Sequence, residues 1–83
     1  MYTWNPLSNY LKSLPAGQVA LTFRFIEQLI GKPLPRSAFV HKAAWWANNG
    51  TRHFHAQAWL EAGCRVTKVD LRTHTVTFEK AQQ

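Results

Sequence analysis

The sequence predicts an α+β domain: three to four short helices, a short first strand and a C-terminal β-hairpin. Three observations carry this. FRFIEQLI repeats apolar residues at helical spacing and is closed by Gly31; a second stretch runs from a capping residue, Thr51, to a closing Gly63; and two β-branched runs, 64–71 and 75–78, are joined by Arg72-Thr73-His74. With 83 residues the chain makes one domain, 1–83. A chain of this size buries roughly 60 to 65 per cent of its unfolded surface, enough for a single modest core.

Taken in order, Asn5-Pro6 reads as a helix start, with Asn as cap and Pro at the first helical position, and Leu7, Tyr10, Leu11 and Leu14 then repeat on one face. Pro15 and Gly17 close this helix. Residues 18–21 form a short strand with Val19 and Leu21 on the same side. Thr22 is an N-cap for the helix 23–30, whose Phe23, Ile26 and Ile30 point inward, Phe25 and Leu29 widen the stripe, and Arg24, Glu27 and Gln28 face out. Pro33 and Pro35 make 32–36 irregular, and Ser37 is placed to cap the next element. For residues 38–47 two conformations stay open, a helix, or a helical turn followed by an extended piece.

Asn48-Asn49-Gly50 suits a turn, after which Thr51 caps a helix from Arg52 to about Ala62. Ala56, Trp59 and Leu60 form its inward stripe, leaving His55, Gln57, Ala58 and Glu61 outward. In the hairpin, Val76 and Phe78 point inward and Thr75 and Thr77 outward. Val66 and Val69 do not share a parity, which predicts a bulge or a strand covered on both faces. The order of elements is that of a winged helix with an enlarged connection before its last helix. In that arrangement the first strand pairs with the hairpin and the loop 71–74 is the wing. Another small α+β sandwich with the same element order is the alternative.

Ten Lys and Arg stand against four acids, Glu27, Glu61, Asp70 and Glu79, for a net charge of +6. Such a balance points to a polyanionic partner, although the cations are scattered, so any patch must be assembled by folding. Cys64 is alone, which excludes an internal disulfide and fits a reducing compartment. No basic segment precedes an apolar run, and nothing approaches the roughly 18 apolar residues of a membrane span. A cytoplasmic location without membrane association is expected.

Function is expected in 37–63, which holds Trp45, Trp46 and Trp59 beside asparagines, histidines and basic residues. Adjacent tryptophans on one strand or helix face cannot both point inward, so one of Trp45 and Trp46 is expected at the rim. Binding of nucleic acid, DNA ahead of RNA, needs cations for phosphates and amide or ring groups for bases. Arg36, Lys42 and Arg52 fit the first role; Trp46, Asn48, Asn49, His53, His55 and Gln57 fit the second; Lys68 and Arg72, with His74, charge the wing. A zinc site from His53, His55 and Cys64 fails on geometry, because helical residues i and i+2 point about 200° apart. No cofactor is expected. An enzyme would have to use Cys64 with a histidine, or a histidine pair, and neither has a supporting motif, so a non-enzymatic domain is expected. The competing class is a protein-docking module, such as a phage or defence-related inhibitor or adaptor, using the Trp45/Trp46 surface.

The strings LTFRFIEQLIGKPLPRSA, WWANN and HAQAWLEAGCRV resemble a widespread small bacterial domain of uncharacterised function with the pattern LTFxxIE, LPxSA, WWxN and AWLxAG. The matching positions are Thr22, Phe23, Ile26, Glu27, Gly31, Leu34, Pro35, Ser37, Ala38, Trp45, Trp46, Asn48, Trp59, Leu60, Ala62 and Gly63. The chain departs from the pattern at Phe25, where an acid is usual, and at Cys64, where a large aromatic is usual. The second departure implies looser packing under the hairpin.

Overall fold

A computed structural model describes residues 4–49 and 54–80, without the side chains of Lys42, Ala43 and Phe54. The elements are α1 Asn5–Lys12, β1 Gly17–Thr22, α2 Phe23–Ile30, α3 Arg36–Val40, α4 Lys42–Trp45, a 3-10 turn Phe54–Ala56, α5 Gln57–Leu60, β2 Cys64–Asp70 and β3 Thr75–Lys80. The strands form a three-stranded antiparallel sheet in the order β1-β3-β2. The fold is therefore α+β, with the first strand closing on the hairpin as the element order predicts. This arrangement is compatible with a winged helix. No helix among the described residues is long and apolar enough to cross a membrane.

Local sequence accounts for α2 and the hairpin. The Thr22 side chain accepts a hydrogen bond from the Phe25 N–H at 3.0 Å, and Gly31 ends the helix at φ 77°, a left-handed conformation that costs a glycine little. In β3, Val76 and Phe78 are fully buried. The register of β2 against β3 slips between Val66 and Lys68, and this bulge lets Val66 and Val69 both face inward despite their opposite parity.

Elsewhere tertiary contacts shift the expected details. The cap of α1 is Trp4 rather than Asn5, and the helix ends at Lys12. Lys80 Nζ donates to the carbonyls of Leu11, Lys12 and Leu14 at 3.1, 2.9 and 2.6 Å, so a cation from the last strand caps the negative end of the first helix. Glu27 does not simply face out; its Oε2 accepts from the Leu34 N–H at 2.8 Å and ties down the proline loop. Ser37 lies inside α3, whose N-cap is Pro35. Residues 38–47 resolve into two short helices broken at His41, with φ −108° and ψ 69°.

The last helix is much shorter than predicted, and Thr51, Arg52 and His53 lie outside the described residues. Its 3-10 entry turns about 120° per residue rather than about 100°, which rotates the buried stripe of α5. Ala56, Ala58 and Trp59 are consequently all fully buried, while Leu60, expected inward, is 36 % exposed. Both members of the tryptophan pair are buried too, which corrects the expected rim position. Trp45 ends α4 and Trp46 begins the next turn, so the two side chains leave different local backbones and meet edge to face at 4.6 Å.

The core is strung on a run of rings: Phe23 stacks on Trp46 at 5.0 Å, Trp46 on Trp59 at 5.7 Å, and Trp59 meets Phe78 at 5.6 Å. Asn48 fastens this run to the sheet. Its Oδ1 accepts from Trp59 Nε1 at 2.9 Å and from the Val66 N–H at 2.8 Å, and its Nδ2 donates to the Val66 carbonyl at 2.9 Å. The amide thus pairs with Val66 as a neighbouring strand would and closes the β2 edge at the bulge. With the buried Cys64, Leu14, Pro15, Val19 and Lys80 line a cleft of about 210 Å³.

Asn48→Ala leaves Trp59 Nε1 without its partner and returns the Val66 backbone groups to solvent, and is expected to cost about 1 to 3 kcal/mol in chemical denaturation. Asn48→Asp, which keeps the acceptor and loses the donor, should fall between that variant and the parent. Trp59→Ala empties a large core site and should cost roughly 3 to 5 kcal/mol. An Asn48→Ala variant as stable as the parent would show that the amide is not a clamp.

Candidate functional site

The turn between β2 and β3, which would be the wing of a winged helix (hereafter the wing), is fixed by three separate anchors. Asp70 Oδ1 accepts from the backbone N–H of Arg72 at 2.9 Å and of Thr73 at 3.2 Å, the pattern by which Asp imposes a turn on its own chain. Thr73 Oγ1 donates to Thr75 Oγ1 at 3.1 Å. His74 adopts φ 53°, and its carbonyl accepts from the Phe23 N–H at 2.8 Å, joining the turn to the first residue of α2. Its ring lies flat against Phe23, with centroids 5.5 Å apart and planes 9° apart, and meets Phe39 of α3 edge-on at 5.0 Å.

This anchoring creates a depression of about 320 Å³ lined by Thr22, Phe23, Arg24, Glu27, Phe39, Thr73 and His74. Arg24, Arg72, Thr73 and His74 are exposed around it. On β2, Arg65 and Lys68 lie opposite Glu79 and Thr77 and point to the uncovered face of the sheet. A line of cations therefore runs along β2, over the wing and onto the first turn of α2. Two acids beside the line are engaged by backbone, Glu27 by Leu34 and Asp70 by the wing itself, while Glu79 lies exposed across from Arg65 on β3. The N–H groups of Thr73 and then Arg72 hold the Asp70 carboxyl below its ordinary range, and Lys68 adds to the effect.

The residues predicted to bind nucleic acid divide sharply. Lys68 and Arg72 join the basic line, and Arg36 is exposed at the start of α3. Asn49 is exposed beyond the α4 turn, and Gln57 is half-buried on α5. Arg52 and His53 lie outside the described residues, as does the side chain of Lys42. Three expected base-reading groups are turned to structural use. Trp46 is 2 % exposed and its Nε1 donates to the Ala38 carbonyl at 3.0 Å. The Asn48 amide is spent on Trp59 and Val66. His55 stacks on Trp45 at 3.9 Å, and its Nε2 donates to the Trp45 carbonyl at 2.6 Å.

Sequence reasoning does not single out Arg24 and Arg65 as site residues. Helical spacing turns Arg24 outward on α2, but only the docking of His74 on Phe23 brings it to the wing. Strand parity is the signal that could have found Arg65, since it points away from the buried Cys64. Cys64 is 3 % exposed at the floor of the cleft, its Sγ lies 3.8 Å from the Ala62 carbonyl, and burial raises the thiol pKa against a smaller lowering by Lys80. Among the described residues no group of three or more His, Cys, Asp or Glu side chains could hold a metal ion.

Because Asp70 has its pKa depressed in the folded chain, its contribution to stability is present above its unfolded value of about 3.9 and is lost as the pH falls through the folded value. A carboxyl NMR titration should show Asp70 titrating below a reference Asp, with the Arg72 and Thr73 amide signals moving in the same step. An ordinary Asp70 titration with stationary amides would contradict the Asp70-anchored turn.

No curated protein and no solved structure matches the chain. A family profile described as Domain of unknown function (DUF7662) matches residues 4–82, and the chain belongs to that family.

Proposed function

We propose that this domain is a non-enzymatic, intracellular nucleic-acid-binding module that grips the phosphates of a duplex, DNA ahead of RNA, with its wing. The observation that carries the proposal is the anchored basic line Lys68, Arg72 and Arg24 beside His74, where the acids Glu27 and Asp70 are engaged in backbone hydrogen bonds; Arg65 extends the line along β2 but faces Glu79. A rigid cationic ridge suits a polyanion, because the cations are already positioned and the repulsion among them is relieved when phosphates replace counterions.

The same geometry sets the mode of binding. With Trp46 buried, His55 bonded to Trp45 and the exposed Asn48 amide bonded to Trp59 and Val66, the described surface offers phosphate contacts ahead of base-edge readers. The described Phe, Tyr and Trp rings are buried or half-buried, so they form no exposed platform on which single-stranded bases could stack. A duplex fits better. Protein docking through the Trp45/Trp46 surface loses its basis, since both rings lie in the core.

Fluorescence anisotropy with a labelled random duplex should show binding in the micromolar range at low salt, with log K falling linearly with log salt. Arg72→Ala and Lys68→Ala together should reduce the magnitude of that slope by about 2, one phosphate per cation. Lys12→Ala should leave it unchanged, because Lys12 lies at the Lys80 end of the sheet, away from the wing. A flat salt response, or an equal loss from Lys12→Ala, would overturn the proposal.

A further inference from the structure

The aromatic run of the core does not end inside the fold. From Trp59 it passes through Trp46 to Phe23, with successive planes tilted by 25° and 28°, and its last member is the exposed His74, parallel to Phe23 within 9°. Phe39 does not cover that end. Its centroid is 5.2 Å from Phe23 and 5.0 Å from His74, which are themselves 5.5 Å apart, so Phe39 stands beside the pair and not on top of it. Among the described residues no other ring meets His74. One face of its imidazole is therefore open, on a backbone that the turn at φ 53° and the Phe23 hydrogen bond hold in place.

The depression that His74 borders holds groups of both signs. Arg24 and Arg72 are exposed around it, and Glu27 is half-buried in its wall. Oε2 of Glu27 accepts from the Leu34 N–H at 2.8 Å, whereas Oε1 has no hydrogen-bond donor among the described residues. That open oxygen decides what fits. It repels a phosphate placed inside the depression and accepts from an N–H, so the interior suits a ring bearing an amino group, and a phosphate belongs at the rim on the two arginines.

We infer that this depression takes one unpaired nucleotide, its base against His74 with an exocyclic amino group on Glu27 Oε1 and its phosphate on Arg24 and Arg72, an assignment that rests on the proposed phosphate grip of the wing. Inside a duplex every base is covered on both faces, so the nucleotide is one outside the stack, at an overhang or extruded. One imidazole face holds one base and offers no track for a single strand. At about 320 Å³ the depression is at the small end for a ligand site, in keeping with a single unit. A free mononucleotide has the same chemistry, and the two sources are separable by experiment.

The probe is 2-aminopurine, which carries an amino group and loses fluorescence when it stacks. Duplexes labelled at the far end, with a one-nucleotide overhang bearing 2-aminopurine, thymine or no base, have equal numbers of phosphates and so share the electrostatic part of binding. The 2-aminopurine overhang should be quenched and should bind at least about fivefold tighter than the abasic one, the low end of what one stacked base contributes. Thymine, without the amino group, should bind more weakly than 2-aminopurine. His74→Asn, a residue that accepts positive φ, should bring the 2-aminopurine and abasic duplexes to the same affinity, and Glu27→Gln should remove the preference over thymine. Quenching on the duplex alone assigns the site to a nucleotide of a gripped duplex, and quenching of the free 2-aminopurine mononucleotide as well assigns it to the nucleotide unit itself; both support the inference. Equal affinity of the three overhangs without quenching would overturn it, as would quenching that His74→Asn leaves intact. Failure of the phosphate grip reads out separately, as binding of the abasic duplex that does not respond to salt.

Discussion

One amide holds the domain together. Asn48 has three hydrogen-bond partners in two places that are distant in sequence, Trp59 in the core and Val66 on the sheet edge. Trp59 is fully buried, and a buried indole N–H without a partner costs far more than one hydrogen bond in water yields. The position of Trp59 therefore fixes where the turn after α4 must run. The same amide bonds Val66, the residue at which the β2 register slips.

The helices around that clamp depend on it. α4 and α5 are four residues each, well below the length at which a helix persists in water by itself. They hold their shape because Trp45, Trp46 and Trp59 pack against Phe23 and Phe78, which belong to the two most regular parts of the chain. The dependence therefore has a direction. α2 and the hairpin carry their own local signals, whereas the middle of the chain is held against them by aromatic contacts and polar clasps, with His55 bonded to Trp45 and Trp46 to Ala38.

Electrostatics is arranged on a similar division. Lys80 neutralises the carbonyl end of α1, and Glu27 and Asp70 hold loops, so these charges serve the fold. The cations left over line β2 and the wing. The sheet is correspondingly asymmetric: its β2 edge is charged and closed, and its β1 edge is neutral and open.

The sequence by itself determined the parts whose causes are local: the Thr22 cap and Gly31 stop of α2, the hairpin and its bulge, Gly63 after α5, and the burial of Trp59. Spacing, capping and strand parity act within a few residues, so they can be read from the chain directly. Tertiary structure alone decided what the polar and aromatic side chains in the middle of the chain do. Asn48, His55 and Trp46 had the chemistry of a nucleic-acid surface, and each found its partner elsewhere in the fold, at Val66 and Trp59, at Trp45 and at Ala38. A polar group goes to whichever partner spares it desolvation, and that partner is set by contacts between remote segments that no local pattern records.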